Sequence, residues 1–163
     1  MEQNDLKEYR YNGARSLILL HKNHLNSFLK TWREAKSFNI ALPETEDSDY
    51  KSLETLLIHV LRSARGYMIW MCDKLNLADP EINTVPEIHN IDSEADEYLK
   101  HLLAKWALPL TEIEESRFNN PTYTSNWGVE YCIDAMLEHA VMHPIRHEFQ
   151  LRNLMRLRQK YIL

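Results

Sequence analysis

The sequence predicts an all-α fold, a four-helix bundle with long crossover connections, and three observations carry that prediction. Glycine is scarce, with three in 163 residues, in a chain rich in Leu, Glu, Lys and Arg. Four stretches place apolar residues in steps of three and four, the spacing of the inward seam of a bundled helix. Three non-trivial connections, marked by proline or by polar and aromatic clusters, separate those stretches. There is no internal repeat and no low-complexity tract, and the length suits one domain, 1–163, large enough for a real core.

The first helix is expected over Asn12–Lys36, with the seam Ala14, Ile18, His21, Leu25, Phe28, Trp32 and Ala35. His21 is thus an inward position and His24 lies beside it. The stretch Ser37–Asp49, with Pro43 and a group of acids, reads as a long connection. The second helix is expected to start at Ser48 or Asp49, either of which can cap it, and to run to about Leu75. Its apolar face is broad: Leu53, Leu56, Leu57, Val60, Ala64, Tyr67 and Met71. His59 falls at the edge of that face. Ser63, Ala64 and Gly66 are small and allow close approach of a helix or a ligand. Asn76–Asp92, with Pro80 and Pro86, is the second connection, and His89 within it is expected to be exposed. The third helix is expected after Ser93, with Ser93 as cap and Asp96 placed to reach back to it. Its seam is Ala95, Leu99, Leu102, Trp106, Leu110 and Ile113, with His101 on the polar side and Pro109 kinking or shortening it. Phe118–Trp127 reads as a polar, aromatic loop. The last helix is expected over about Gly128–Lys160, kinked at His143 because Pro144 follows it.

Charge and cysteine usage narrow the function. The net charge of −5 disfavours a general binder of nucleic acid or of anionic membrane. The basic run Arg152, Arg156, Arg158 and Lys160 reads as a solvated last turn that complements the helix dipole. Cys72 and Cys132 form neither a disulfide framework nor a zinc-ribbon spacing, so a reducing cytoplasm is the expected compartment. The polar N-terminal stretch Met1–Asn12 has no apolar core of a signal peptide, and no apolar run approaches a membrane span. A soluble cytoplasmic protein is expected.

The stretch Leu137–Gln150 holds the strongest clue, because His139, His143 and His147 are spaced by four. Residues four apart on a helix share a face. The seam of this helix reads Val129, Ile133, Met136, Ala140, His143, His147, Gln150 and Leu154, so it turns polar at two histidines and then returns to leucine. His143 and His147 should therefore point inward, with His139 one step off. Two inward imidazoles need partners or a metal, since a buried polar group without one costs about 1–3 kcal/mol. A third ligand would come from another helix, and periodicity leaves both His59 and His21 open. Three neutral imidazoles can hold Zn²⁺, Ni²⁺, Co²⁺ or Fe²⁺ and leave a coordination position open. A di-iron carboxylate site would need Glu-x-x-His, and no glutamate stands three residues before a histidine; Pro144 takes the Glu place of an HExxH zinc motif. Tyr67, Trp70, Trp127 and Tyr131 could line a cavity over a metal, although ordinary core packing is the expectation for each. Arg62, Arg146, Glu138 and Glu148 lie within about a turn of the histidines, close enough to orient one. Cys132 is read as packing.

Leu56-Leu57-Ile58-His59-Val60 with Ala64, Tyr67 and Trp70, together with His139-Ala140-Val141-Met142-His143 and His147-Glu148-Phe149-Gln150, resembles the DinB/YfiT-like superfamily. The helix order fits over most of the chain, while the motifs themselves span about thirty residues. The resemblance implies a helical bundle with a crossover and a divalent metal on one histidine of the second helix and two of an HxxxH in the last. Here those are His59, His143 and His147, so the resemblance selects His59 over His21. It also implies a metal-dependent enzyme, with Zn or Ni the expected ion, that acts on a small molecule. The chemistry implied is transfer or isomerisation dependent on a low-molecular-weight thiol, or hydrolysis; homodimers are common among relatives. Where the superfamily usually ends its motif His-His-Arg-Gly-Gln, this chain has Arg146-His147-Glu148-Phe149-Gln150, and Pro144 is unusual. No catalytic base is evident in the sequence. The alternative is a non-catalytic metal-binding or interaction bundle related to stress.

Overall fold

The computed structural model describes residues 8–162, and the expected polar N-terminal stretch lies largely outside them. The chain is mostly helical, with 65% of its residues in helix and 3% in strand. Four long helices, α1 (Asn12–Ser37), α2 (Leu53–Leu75), α3 (Ile91–Trp106) and α5 (Ile133–Ile162), are joined by connections that hold the short α4 (Ser116–Asn119) and a small hairpin, β1 (Tyr123–Thr124) with β2 (Glu130–Tyr131). α5 packs chiefly along α1 and then α2, while α3 packs against α2 and α1. No helix among the described residues is long and apolar enough to cross a membrane.

The seams place the core where periodicity expects it. Ala14, Ile18, Leu25, Phe28, Trp32 and Ala35 of α1 are all buried. Two indoles then lock helices together through main-chain carbonyls: Trp32 Nε1 donates to Leu53 O at 2.6 Å and Trp106 Nε1 to Ala64 O at 3.1 Å. Burying an indole N–H with its acceptor avoids the cost of an unmet donor. Cys72 is buried and Cys132 half-buried, and both are free thiols. Cys132 does more than pack: its Sγ accepts from the Ala135 N–H at the start of α5.

α1 starts at Asn12 and α2 ends at Leu75 as expected, while other helix ends depart from expectation. α2 starts at Leu53, not at Ser48 or Asp49, because Ser52 and Thr55 form a reciprocal capping box. Ser48–Tyr50 is instead a separate 3-10 turn, capped by Asp47. α2 stops at Leu75 as Asn76 turns left-handed at φ 56°. α3 begins at Ile91, so Ser93 lies inside it and bonds back to Asn90 O, while Asp96 pairs with Arg33 across the surface. It ends at Trp106, before Pro109, and Leu110 is buried from the following turn. The last helix begins at Ile133 rather than Gly128. Val129 is not a seam residue: it sits in the hairpin, 47% exposed. Pro144 does not end α5, which is helical on both sides of it. Arg158 is no mere solvated end, since it donates to Phe38 O and, at 2.7 Å, to Asn39 O, closing the C-terminus of α1. The Lys160 side chain lies outside the described residues.

Candidate metal centre

His59 on α2 and the pair His143 and His147, one turn apart on α5, come together. One ring nitrogen from each lies within 4.8 Å of the other two. The ring centroids are 4.9 Å apart for His59 and His143, 5.2 Å for His59 and His147, and 4.7 Å for His143 and His147. His143 and His147 are 7% and 4% exposed, as the seam requires, and His59 is half-buried at the edge of its helix face. His21 takes no part. It is buried elsewhere, its ring 3.9 Å from that of Trp106. His139 stands to one side, against Tyr67 and Trp127.

Hydrogen bonds assign the nitrogens. His59 Nδ1 donates to Asp49 Oδ2 at 2.9 Å, and His147 Nδ1 donates to Gln150 Oε1 at 2.9 Å. In the neutral imidazole the other nitrogen is then a bare acceptor, so both rings turn Nε2 lone pairs inward. His59 Nε2 lies 3.0 Å from His143 Nε2 and 3.2 Å from the Tyr50 hydroxyl. A neutral His143 with its proton on Nε2 satisfies that contact by donating to His59 Nε2, and a cation shared by the two nitrogens would satisfy it in the other tautomer. Nitrogens bound to one tetrahedral ion at about 2.0–2.1 Å stand about 3.3–3.4 Å apart. The His59–His143 separation of 3.0 Å is close to that, and all three nitrogens lie within 4.8 Å of one another.

Electrostatics favour the ligand form. Burial drives His143 down to about 2, with the neighbouring His147, His59, His139 and Arg146 adding to it. Burial also drives His147 down to about 4, against a smaller opposing effect of Gln150. Both are neutral at pH 7, and metal binds neutral imidazole. Burial pushes the Asp49 carboxyl up, but the Arg62 guanidinium and His59 outweigh it and hold it below its ordinary value. Arg62 Nη2 lies 2.8 Å from both carboxylate oxygens. The chain Arg62–Asp49–His59 is the arrangement that orients a ligating histidine.

Above the three rings lies a cavity of about 460 Å³. Tyr67 and Trp70 form part of its wall, and at Gly66 an added Cβ would meet nothing within 4 Å, so the glycine opens onto free space. Asn126 and Trp127 reach it from the hairpin. Trp127 is therefore not the core aromatic expected of it; it is 48% exposed. Tyr67 and Trp70 serve both core and cavity, and Tyr131 packs on Trp127 and His139.

Of the side chains expected to orient an imidazole, none does so directly. Arg62 acts through Asp49, Arg146 lines the cavity, and Glu138 is exposed. Glu148 accepts from Ser27, Thr31 and Arg152 instead, tying α5 to α1. Phe149 is 70% exposed and lines no part of the cavity. The changes at Glu148 and Phe149 thus leave the three histidines untouched, while the third changed position, Arg146, lines the cavity. Asp49 and Tyr50 are the residues sequence reasoning missed. Both sit in a connection without periodicity, and Asp49 was expected only as a helix cap. Comparison with family models, curated proteins and solved structures finds no match for the chain. The DinB/YfiT-like resemblance rests on the motifs alone.

Proposed function

We propose that this chain is a divalent-metal-dependent enzyme of the DinB/YfiT-like kind, a four-helix bundle in which His59, His143 and His147 hold Zn²⁺ or Ni²⁺. A single observation carries the reading: imidazoles from two helices meet at a cavity floor, two of them with Nδ1 already committed to Asp49 and Gln150. Three protein ligands and an adjoining cavity of about 460 Å³ leave room for a small molecule at the open position. The ion would supply Lewis acidity toward a water or a thiolate. Around it, Asp49 and Gln150 hold the imidazole tautomers, Tyr50 offers a hydroxyl 3.2 Å from His59 Nε2, and Tyr67 and Trp70 limit water. Among the described residues no carboxylate lines the cavity, so the nucleophile would be activated without a carboxylate base. That fits transfer or isomerisation with a low-molecular-weight thiol, and hydrolysis is the second chemistry. The absence of a carboxylate from the lining is the one observation favouring a non-catalytic metal-binding protein, although His139 offers an imidazole outside the cluster.

Metal content tests the site. Protein purified without chelator or metal-affinity tag should carry close to one equivalent of metal, and the double variant His143→Ala/His147→Ala only traces. Equal trace metal in both would sink the proposal.

A further inference from the structure

Whatever enters the cavity meets a lopsided set of charges. The chain has 24 Asp and Glu against 19 Lys and Arg, yet no lining residue among those described is acidic. The cation there is Arg146, exposed at the rim between His143 and His147 in sequence. Two other arginines of α2 and α5, Arg62 and Arg152, are each engaged by a carboxylate, Asp49 and Glu148. Arg146 has no such pair among the described residues.

Aromatic rings crowd one side of the cavity. Trp127 stacks on His139 with ring centroids 5.5 Å apart and planes inclined by 28°. Tyr67 stands edge-on to both, at 6.2 Å and 5.3 Å. The hairpin turn holds the indole there: Ser125 N donates to Val129 O at 2.8 Å, Gly128 N to Ser125 O at 3.0 Å, and Gly128 takes φ 84°. At that φ a residue with a side chain would be strained. A built turn that leaves an indole 48% exposed beside a cavity is a surface for another flat apolar group.

The geometry points to a small anionic ligand with a planar apolar body, its carboxylate or equivalent oxyanion on Arg146 and its ring against Trp127. This rests on the reading of the cavity as a substrate site and names the class of substrate. Guanidinium pairs with a planar oxyanion through two parallel N–H donors, which a neutral isostere cannot match.

The test compares three isosteres by calorimetry: 2-naphthoate, neutral 2-naphthamide and cationic 2-naphthylmethylammonium. With both chelator-treated and Zn²⁺-loaded wild type, the naphthoate should bind at least about tenfold tighter than the amide, a difference of about 1.4 kcal/mol, and the ammonium weakest. Arg146→Gln should erase the preference while leaving the amide unchanged. Trp127→Ala should weaken naphthoate and amide alike. Circular dichroism checks that each variant folds. In His143→Ala/His147→Ala the preference should persist, so the anion site stands or falls separately from the metal. A wild type that binds none of the three, or shows no preference, overturns the inference. So does a preference that survives Arg146→Gln or disappears with the histidines.

Discussion

A buried imidazole is costly when nothing answers it, and His21 is the case in point. It is 1% exposed, neither ring nitrogen has a partner among the described residues, and burial lowers its pKa to about 3, with His24 adding to the effect. Between that value and the ordinary 6.5, the unfolded chain holds a proton that the folded one refuses. The stability at neutral pH is therefore lost as pH falls below 6.5, by about 1.4 kcal/mol per pH unit for this group. His21→Leu should raise the unfolding free energy at pH 7 by about 1–3 kcal/mol and flatten its fall toward pH 5, read from urea titrations at both. An unchanged slope would mean that the ring is solvated. At the candidate metal centre the same burial is answered. Asp49 is the partner whose loss should be felt at a distance: Asp49→Asn should keep the fold and lower Zn²⁺ affinity about 10- to 100-fold, measured by competition with a chromophoric chelator. The positions of His143 and His147 were readable because a seam of period three and four forces them inward. His59 was not readable that way, being at the edge of its apolar face. Asp49 carries no periodic signal at all.

At the level of elements, one acid holds two helices. Glu148, with a side chain 12% exposed, accepts from Ser27 at 2.9 Å and Thr31 at 3.2 Å on α1 and from Arg152 at 2.7 Å on its own helix. Glu148→Ala leaves the buried Thr31 hydroxyl unmet and should cost about 1–3 kcal/mol, visible in thermal melts, with metal content unchanged. A loss of metal in this variant would instead tie Glu148 to the site. The four long helices were legible from spacing, and α1 starts at Asn12 as expected, whereas the short α4 and the starts of the other long helices were not legible. The Ser52–Thr55 box outcompetes the earlier caps, and Asn90 precedes α3 without any side-chain bond to announce it. The hairpin escaped because strands of two residues carry too little alternation to read, although Gly128 after Asn126-Trp127 is a turn signal.

For the whole molecule, a ligand held by α2 and α5 together binds the folded chain and not the unfolded one. Zn²⁺ at a hundred times its dissociation constant should therefore add about 2.7 kcal/mol to stability, seen as a rise in melting temperature that chelator reverses. The double histidine variant should show no such rise. That the chain is mostly helical was evident from scarce glycine and periodic leucine. The cavity was not, because it depends on where a loop comes to rest and no spacing records that.

Asp49 and Tyr50 reach His59 from the strap between the first two long helices, not from a helix. A strap is ordered only against its conformational entropy, so its grip on the imidazole and the imidazole's grip on it are one quantity felt from two ends. Anything that tugs His59 tightens the strap, and anything that slackens the strap lets the ring swing.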